Sequence, residues 1–310
     1  MKEPNVTIIT TVYSASDDFL KKMSNSIKEQ KYSGKIIHIF INDNAKIQRK
    51  IKGLNILNNE KNVGLSATLK KGFELAKTEI IVSLLDDCIP SSDDWLRNLI
   101  APLKDKEVVA TSSKVELPKE LWDSFDYFTR ALTEKEQKII IPGLDEKGCA
   151  YRKSIMKEYG YFDSEYFRNG GEDVDVTVKM EERGKIINTD AKVFHLHNTN
   201  IKSRIKKEIQ YARIAGLITR KMYFKLQLYY KVHVALKIGL FLLFLVSLIF
   251  NFHPIIIFIL MFGLANIRFP FQFKRLWKDF RIILVPFLNL FIYVLYVINL
   301  LYSLIFNVKI

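Results

Sequence analysis

The stretch Ile80–Pro90, IIVSLLDDCIP, constrains the fold more than any other part of the chain. Its apolar half is short, rich in β-branched residues and without alternation, which is the pattern of a strand covered on both faces. Such a strand needs helices on each side, so an α/β fold with a mostly parallel sheet is expected around it. Asp86 and Asp87 follow at once. Open α/β sheets bind ligands beyond the carboxyl ends of their strands. Unpaired carboxylates are costly to bury, so this pair is expected at an open edge or facing a cation. The plainer reading is that the two acids only open the turn toward Pro90 and cap the next helix. It stays open on these residues alone.

The flanking sequence repeats the pattern. Strands are expected at Val6–Val12, Ile36–Ile41, Leu54–Leu57 and Val108–Ala110, with short late strands at Lys185–Asn188 and Ala191–Leu196. Between them lie helical stripes: Phe19, Leu20, Met23 and Ile27; Leu65, Leu69, Phe73 and Ala76; Trp95, Leu96, Leu99 and Leu103. From Pro118 to about Lys138 the pattern turns helical and aromatic and reads as a cover over the sheet's C-terminal edge. A loop, Arg168–Gly171, leads into Glu172-Asp173-Val174-Asp175 and a further helix. The α/β domain is expected to span residues 1–200.

Charge separates this domain from the rest. Residues 1–197 carry 31 basic and 31 acidic side chains, whereas residues 198–310 carry 16 basic ones against Glu208 and Asp279. Residues 201–234 hold a helical apolar stripe with a basic face, as in an amphipathic helix lying on a membrane surface; a partner-binding helix is the other reading. Three apolar runs follow, at about 235–250, 254–267 and 282–306, making a membrane region over 235–310. The last has 25 residues and no charge, enough to cross a bilayer. The first two are shorter and read as a hairpin that either crosses or re-enters. Basic residues flank the first run and lie between the second and third. This puts the α/β domain in the cytoplasm and the chain in the cell membrane as a multi-pass protein. Met1-Lys2-Glu3 leads straight into a strand with no signal-peptide pattern, and two cysteines make no disulfide framework. The neutral α/β domain lacks the basic surface that nucleic acid requires, so no nucleic-acid partner is expected.

Acids recur at strand ends and at one helix start: Asp43, Asp86, Asp87, then Glu172-Asp173, with His195 late in the domain. Transfer of a sugar from a nucleotide donor calls for such a set. A diphosphate leaving group needs a divalent cation, and oxygen ligands suit Mg²⁺ or Mn²⁺. A separate carboxylate must take the proton from the acceptor hydroxyl.

In the order and spacing of VTIITTVY, the strand ending at Asp43, Asn62-Val63-Gly64, LLDDCIP, GGEDVD and VFHLH, the chain resembles the GT-A glycosyltransferases of family 2 over roughly residues 4–200. The resemblance implies a nucleotide-sugar pocket formed by Thr10, Thr11, Tyr13, Asp43, Asn62, Gly64 and Asp86. Within it Asp43 contacts the base and Asp86 the ribose. It also implies a metal held by Asp87 and approached by His195, and an inverting displacement with Asp173 as base and Glu172 in reserve. Each residue has a local role as an alternative: Asp43 as a turn cap, Asn62 and Gly64 as backbone geometry, Glu172 and Asp173 as first-turn acids favoured by the helix dipole. His195 and His197 face the same side of a strand and are interchangeable by position.

Two departures stand out. Leu85 occupies the first acidic position of the DxD motif, and Ala67 and Thr68 stand where a basic residue often follows the Asn-x-Gly turn; Lys70, Lys71 or Arg152 are candidates to replace it. The function expected is sugar transfer to a lipid-linked or growing glycan acceptor, with the bilayer as a further partner. The alternatives are loading of sugar onto polyprenyl phosphate, which needs no base, and an inactive transferase-like binding protein of a glycan assembly complex.

Overall fold

The computed structural model describes residues 3–137 and 143–306. The end of the expected aromatic segment at Lys138 and the last residues of the third apolar run's domain, 307–310, lie outside them. The elements run β1 (Val6–Val12), α1 (Asp17–Lys28), β2 (Ile36–Asn42), β3 (Ile56–Asn58), α2 (Leu65–Leu75), β4 (Ile80–Ser83), β5 (Cys88–Pro90), α3 (Trp95–Ile100) and β6 (Val108–Glu116). Then come α4 (Lys119–Asp123), α5 (Tyr127–Leu132), β7 (Cys149–Arg152), α6 (Lys153–Glu158), α7 (Glu172–Glu181) and β8 (Lys185–His195). Five helices follow: α8 (Ile201–Met222), α9 (Leu228–Phe250), α10 (Pro254–Ala265), α11 (Phe269–Leu276) and α12 (Val285–Ile305). The chain forms two compact units. One combines the residues up to Pro118 with Glu136–His197; the other combines Lys119–Lys135 with the chain from Asn198 onward.

The first unit is an eight-stranded sheet in the order β3-β2-β1-β4-β7-β6-β8-β5. Parallel pairs join β3, β2, β1 and β4, and also β6 with β8, while β7 and β5 pair antiparallel. Successive residues of β1 go to opposite faces, as the strand period requires. Ile8 packs with Leu20, Met23, Trp95 and Leu99 of α1 and α3. Ile9 packs with Leu69, Phe73, Met156 and Val176 of α2, α6 and α7. This two-sided burial is why the strands read as unbroken apolar runs. Ser16 starts α1 by accepting from Phe19 N at 3.2 Å, an N-cap bond.

Three expectations shift. Ile80–Pro90 is two strands: the chain leaves the sheet after Ser83, turns through Leu84–Asp87, and re-enters beside β8. β8 is one continuous strand through Thr189-Asp190, because β6 is long enough to pair with both of its halves across irregular registers. The aromatic segment around Trp122 groups with the C-terminal helices: its two helices have five and six residues, too few to bury an apolar face alone. Tyr127 Oη lies 3.5 Å from Leu276 O and Gln272 Nε2 donates to Ala131 O at 3.0 Å.

In the second unit the expected helix over 201–234 stops at Met222, turns through Tyr223–Lys225, and a new helix begins at Leu228. The small-residue part of its stripe, Ala212, Ala215 and Gly216, is covered by α12. A Cβ on Gly216 would lie 2.7 Å from Ser303 Cβ, so glycine sets how closely the two helices approach. The first apolar run gains about two turns from this boundary. α9 has 23 residues, and with the segment Phe280–Ile305 it is one of two helices apolar and long enough to cross a membrane. α10 and α11 together reach that length only as a pair bent by 56°.

Candidate active site

Asp43 follows β2, and its carboxylate closes a loop 20 residues away. Oδ1 accepts from Asn59 Nδ2 and Val63 N, and Oδ2 from Gly64 N, each at 2.9 Å. Gly64 then adopts φ +91 and ψ 165, a combination essentially confined to glycine. An added Cβ would meet Arg168 Cγ at 2.5 Å. The loop 168–171 docks here: Arg168 Nη2 donates to Asn62 Oδ1 at 2.8 Å, Asn169 Oδ1 accepts from Leu65 N at 3.1 Å, and Arg168 O accepts from Ser66 N at 3.1 Å. That docking delivers Glu172 and Asp173 at the start of α7. Glu172 Oε2 accepts from Ser66 Oγ at 3.2 Å and Gly170 N at 2.8 Å. One relay of hydrogen bonds therefore connects Asp43 to the Glu-Asp pair.

Asp86 sits in the turn after β4. Its Oδ2 accepts three consecutive backbone N–H groups, those of Tyr13, Ser14 and Ala15, at 2.8, 3.0 and 3.0 Å. This nest shapes the end of β1 and leaves Oδ1 outside it. Burial pushes the Asp86 carboxyl upward despite those three donors.

Asp87 is joined to His195 by strand pairing. Cys88 lies opposite His195 in the β5–β8 register, and Asp87 Oδ2 is 2.9 Å from His195 Nε2. The Cys88 thiol donates to Asp87 Oδ1 at 3.3 Å. Burial pushes the Asp87 carboxyl up, but the His195 imidazole, Lys147 and that thiol outweigh it and hold the group well below its usual value. His197 stacks on His195 with centroids 4.2 Å apart, and its Nε2 lies 3.5 Å from Glu136 Oε2. Of the two histidines, His195 is the one at Asp87.

The Glu-Asp pair is displaced in the other direction. Burial, helped by the Asp173 charge, pushes the Glu172 carboxyl to about 7. Burial also raises Asp173, against the pull of Val174 N–H and Lys147. A helix start favours an ionised acid; at Asp173 desolvation is the larger effect. Glu146, buried and with φ +63, accepts from Tyr151 Oη at 2.8 Å, and burial, helped by the Glu172 and Asp173 charges, pushes it to about 8.

Residues 7–160 match the family model for glycosyl transferase family 2. The chain belongs to that family. No curated protein sequence matches it. Among solved structures, the mannosyltransferase PcManGT from Pyrobaculum calidifontis, in complex with GDP-Man and Mn²⁺, is similar with a TM-score of 0.64 at 15% identity, over 96% of this chain and 87% of that one. TarS of S. aureus is similar over 75% of this chain and 42% of its own length, with a TM-score of 0.49 and 15% identity. The first likeness establishes the fold, a GT-A-type mostly parallel sheet followed by C-terminal helices.

Within this family 2 domain the remaining sequence candidates fall as follows. Thr11 is buried at the end of β1, and Tyr13 stands 56% exposed beside the Asp86 nest. Thr10 is fully buried, with Oγ1 3.0 Å from His38 Nε2 on the α1 side of the sheet, and is not brought to the acids. Of the candidate replacements for the absent basic residue, Arg152 is committed to the carbonyls of Leu103, Asp105 and Val108. Lys71 donates to Asn59 Oδ1 at 2.7 Å.

The side chain that reasoning from sequence passed over is Lys147, whose charge acts on both Asp87 and Asp173. It lies in a loop between Glu146 and Gly148, and only the paired positive φ values, +63 and +99, mark that loop as shaped. Arg168 was likewise legible only as part of a Gly-rich loop.

Asp87 and His195 fit a divalent cation. Two cis ligands at about 2.1 Å from an octahedral ion stand roughly 3 Å apart, which is the separation of Oδ2 and Nε2 here, 2.9 Å. Cys88 Sγ lies in the same cluster, but its thiol is spent as a donor. Asp87 and His195 would be the residues to hold such a cation, which would supply positive charge to a diphosphate.

Proposed function

We propose that this chain is a membrane-attached, inverting glycosyltransferase. It moves a sugar from a nucleotide-sugar donor to a hydroxyl of a lipid-linked or growing glycan. The observation that supports the reading is Lys147: its ammonium pairs with Asp145 at 3.4 Å and its charge lowers both Asp87 and Asp173, as expected if the cation side and the base side belong to one cleft. Mg²⁺ or Mn²⁺ bound by Asp87 and His195 would neutralise charge developing on the departing diphosphate. Asp43 and Asp86 serve the nucleoside: each spends oxygens on backbone N–H groups that shape the pocket, and Asp86 Oδ1 remains for a ribose hydroxyl. Thr11, Tyr13, Asn62 and Gly64 form the surrounding backbone. Lys147 supplies the basic contact that Ala67 and Thr68 do not.

Asp173 takes the proton from the acceptor hydroxyl. Its raised pKa makes it a stronger base once ionised. Attack from the base side, opposite the departing diphosphate, inverts the anomeric carbon. A polyprenyl-phosphate acceptor arrives already ionised and would leave this buried carboxylate pair without a task. The test is a panel of nucleotide sugars with the purified full chain, following release of the nucleoside diphosphate and the anomeric configuration of the product. Release with retained configuration would overturn the inverting mechanism, and no release from any donor would favour a binding protein.

We place the catalytic unit in the cytoplasm. The chain has no Lys or Arg from 238 to 267, while Arg268, Lys274, Arg275, Lys278 and Arg281 cluster after α10. The positive-inside rule then puts Asn251–His253 outside and 268–281 inside, with α10 returning the chain. Protease added to intact cells should spare the catalytic unit; its digestion would reverse the topology.

A further inference from the structure

The second unit forms a half-open cavity of about 470 Å³, walled by α8, α9, α12, the chain through α10 and α11, and the turn after α5. That volume is typical of small-ligand sites. Its charged lining is Glu134, Lys135, Glu208, His233, Lys237 and Arg268. Both acids are already engaged. Glu134 holds Arg268 at 2.8 Å and Arg275 at 3.1 Å; Glu208 holds Arg204 at 2.5 Å and lies 3.6 Å from Lys135. Lys135, Arg204 and Lys237 together outweigh burial and keep the Glu208 carboxyl below its ordinary value.

Lys237 is the unbalanced charge. Among the described residues its ammonium has no carboxylate partner; it stands 4.1 Å from the centroid of the Tyr296 ring. It belongs to α9, a helix apolar enough to cross a membrane, roughly 14 Å from that helix's start at 1.5 Å per residue. An ionisable side chain inside an apolar span is expensive, and a lysine near a span's end normally extends to the interface. Here it turns to a ring on α12 and to the cavity. The Gln272 and Asn289 amides satisfy each other at 3.2 and 2.8 Å, so they stiffen the wall. The Tyr296 hydroxyl has no hydrogen-bond partner among the described residues and is available as a donor. Lys135, Lys237 and Arg268 line the cavity, and Arg204 and Arg275 stand behind its two acids; this excess of positive charge suits a phosphate or diphosphate anion. The same walls carry Leu264, Ile267 and Ile292, which suit an attached hydrocarbon.

We propose that this cavity binds the phosphate or diphosphate head of a membrane lipid, the carrier of the acceptor. The carrier role rests on the acceptor reading above; the binding does not.

The test uses the full chain in detergent with EDTA, so that binding through a divalent cation at Asp87 is excluded. Farnesyl diphosphate, inorganic diphosphate and farnesol are compared by thermal unfolding and equilibrium binding. Farnesyl diphosphate should stabilise the protein, inorganic diphosphate should bind at least about tenfold more weakly, and farnesol should have no effect. Removing one charge-assisted contact costs enough to weaken binding about tenfold or more. Lys237→Gln and Lys237→Met should both show that loss. Lys237→Met should also raise the unfolding temperature of the lipid-free protein, since an unbalanced charge is gone; this shows that the variant folds. Undiminished farnesyl diphosphate binding in both variants would overturn the site. Equal binding of inorganic diphosphate would make it a site for a soluble anion, and equal binding of farnesol would make it an apolar groove. Lys237-dependent binding by a protein that releases no nucleoside diphosphate would sink the transferase reading and leave this one standing.

Discussion

The two units handle buried charge in opposite ways. In the α/β unit, Asp43 and Asp86 are satisfied mainly by backbone N–H groups of loops. In the helical unit, Glu134 and Glu208 are satisfied by side chains: Glu134 by Arg268 and Arg275, and Glu208 by Arg204 of its own helix with Lys135 of the turn after α5. A helix consumes its own N–H and C=O groups along its length, so a bundle has few backbone donors to offer and must recognise polar groups through side chains. Loops at the edge of a sheet have donors in excess. The difference teaches where precision comes from: the donor pocket is held by main chain that few substitutions reach, while the helical cavity depends on single side chains.

The largest expected effect tests the carboxylate pair. Asp173→Asn should lower turnover by roughly 10²- to 10⁴-fold, the usual range for removing a general base, with donor affinity little changed. If Glu172→Gln gives that loss and Asp173→Asn does not, the base is the neighbour; normal turnover in both makes the pair structural. Next is Asp87→Asn, which keeps size and removes charge. Mn²⁺-dependent binding of the nucleoside diphosphate should weaken by at least the roughly 10–100-fold typical of disturbing a metal site. Unaltered Mn²⁺ dependence in a titration would put the cation elsewhere.

Two glycines set the units against each other directly. Gly64 combines close approach to Arg168 with φ +91, whereas Gly216 has only the close approach, to Ser303 and the Leu300 carbonyl. Gly64→Ala should cost about 1–3 kcal/mol and also lower turnover, because the loop carrying Asp173 leans on it. Gly216→Ala should cost about 1–3 kcal/mol by overpacking without changing turnover by the isolated catalytic steps. Thermal unfolding and nucleoside diphosphate release measure both; equal effects on turnover would erase the distinction.

The smallest effect is a pH dependence. Glu172 has its carboxyl raised from 4.5 to about 7 in the folded state. The folded protein therefore binds that proton more tightly than the unfolded chain. This contribution to stability is full below pH about 4.5 and disappears as pH rises to about 7. Glu172→Gln lacks the titration. Its unfolding temperature relative to the parent should climb across that window by an amount on the order of 1–3 kcal/mol in stability. A flat difference would mean the carboxyl is not held protonated.

Much of this was legible in the sequence because it depends on short-range pattern. β-branched runs marked the strands of the parallel core, apolar stripes marked α1, α2 and α3, and Asp87, Glu172, Asp173 and His195 were singled out as residue types the chemistry needs. Less legible were features fixed by pairing at a distance. The break after Ser83 follows from β5 finding β8, and that register alone sets His195 against Asp87, 108 residues away. Arg152, Lys71 and Lys147 are all cations in plausible places; only packing shows that the first serves carbonyls and the last faces the acids.

Residue type and local periodicity determined by themselves that this chain would build an α/β layer with acids at its edge and an apolar helical tail. Both rest on which atoms each residue offers and on burial that any partner surface satisfies. Tertiary structure decided the rest: which histidine meets Asp87, that burial outweighs the helix dipole at Asp173, where the helix from Ile201 ends, and which of the two lysines lining the helical unit's cavity is left without an acid. Those outcomes are differences between competing interactions, and they take a sign only once the distances are set.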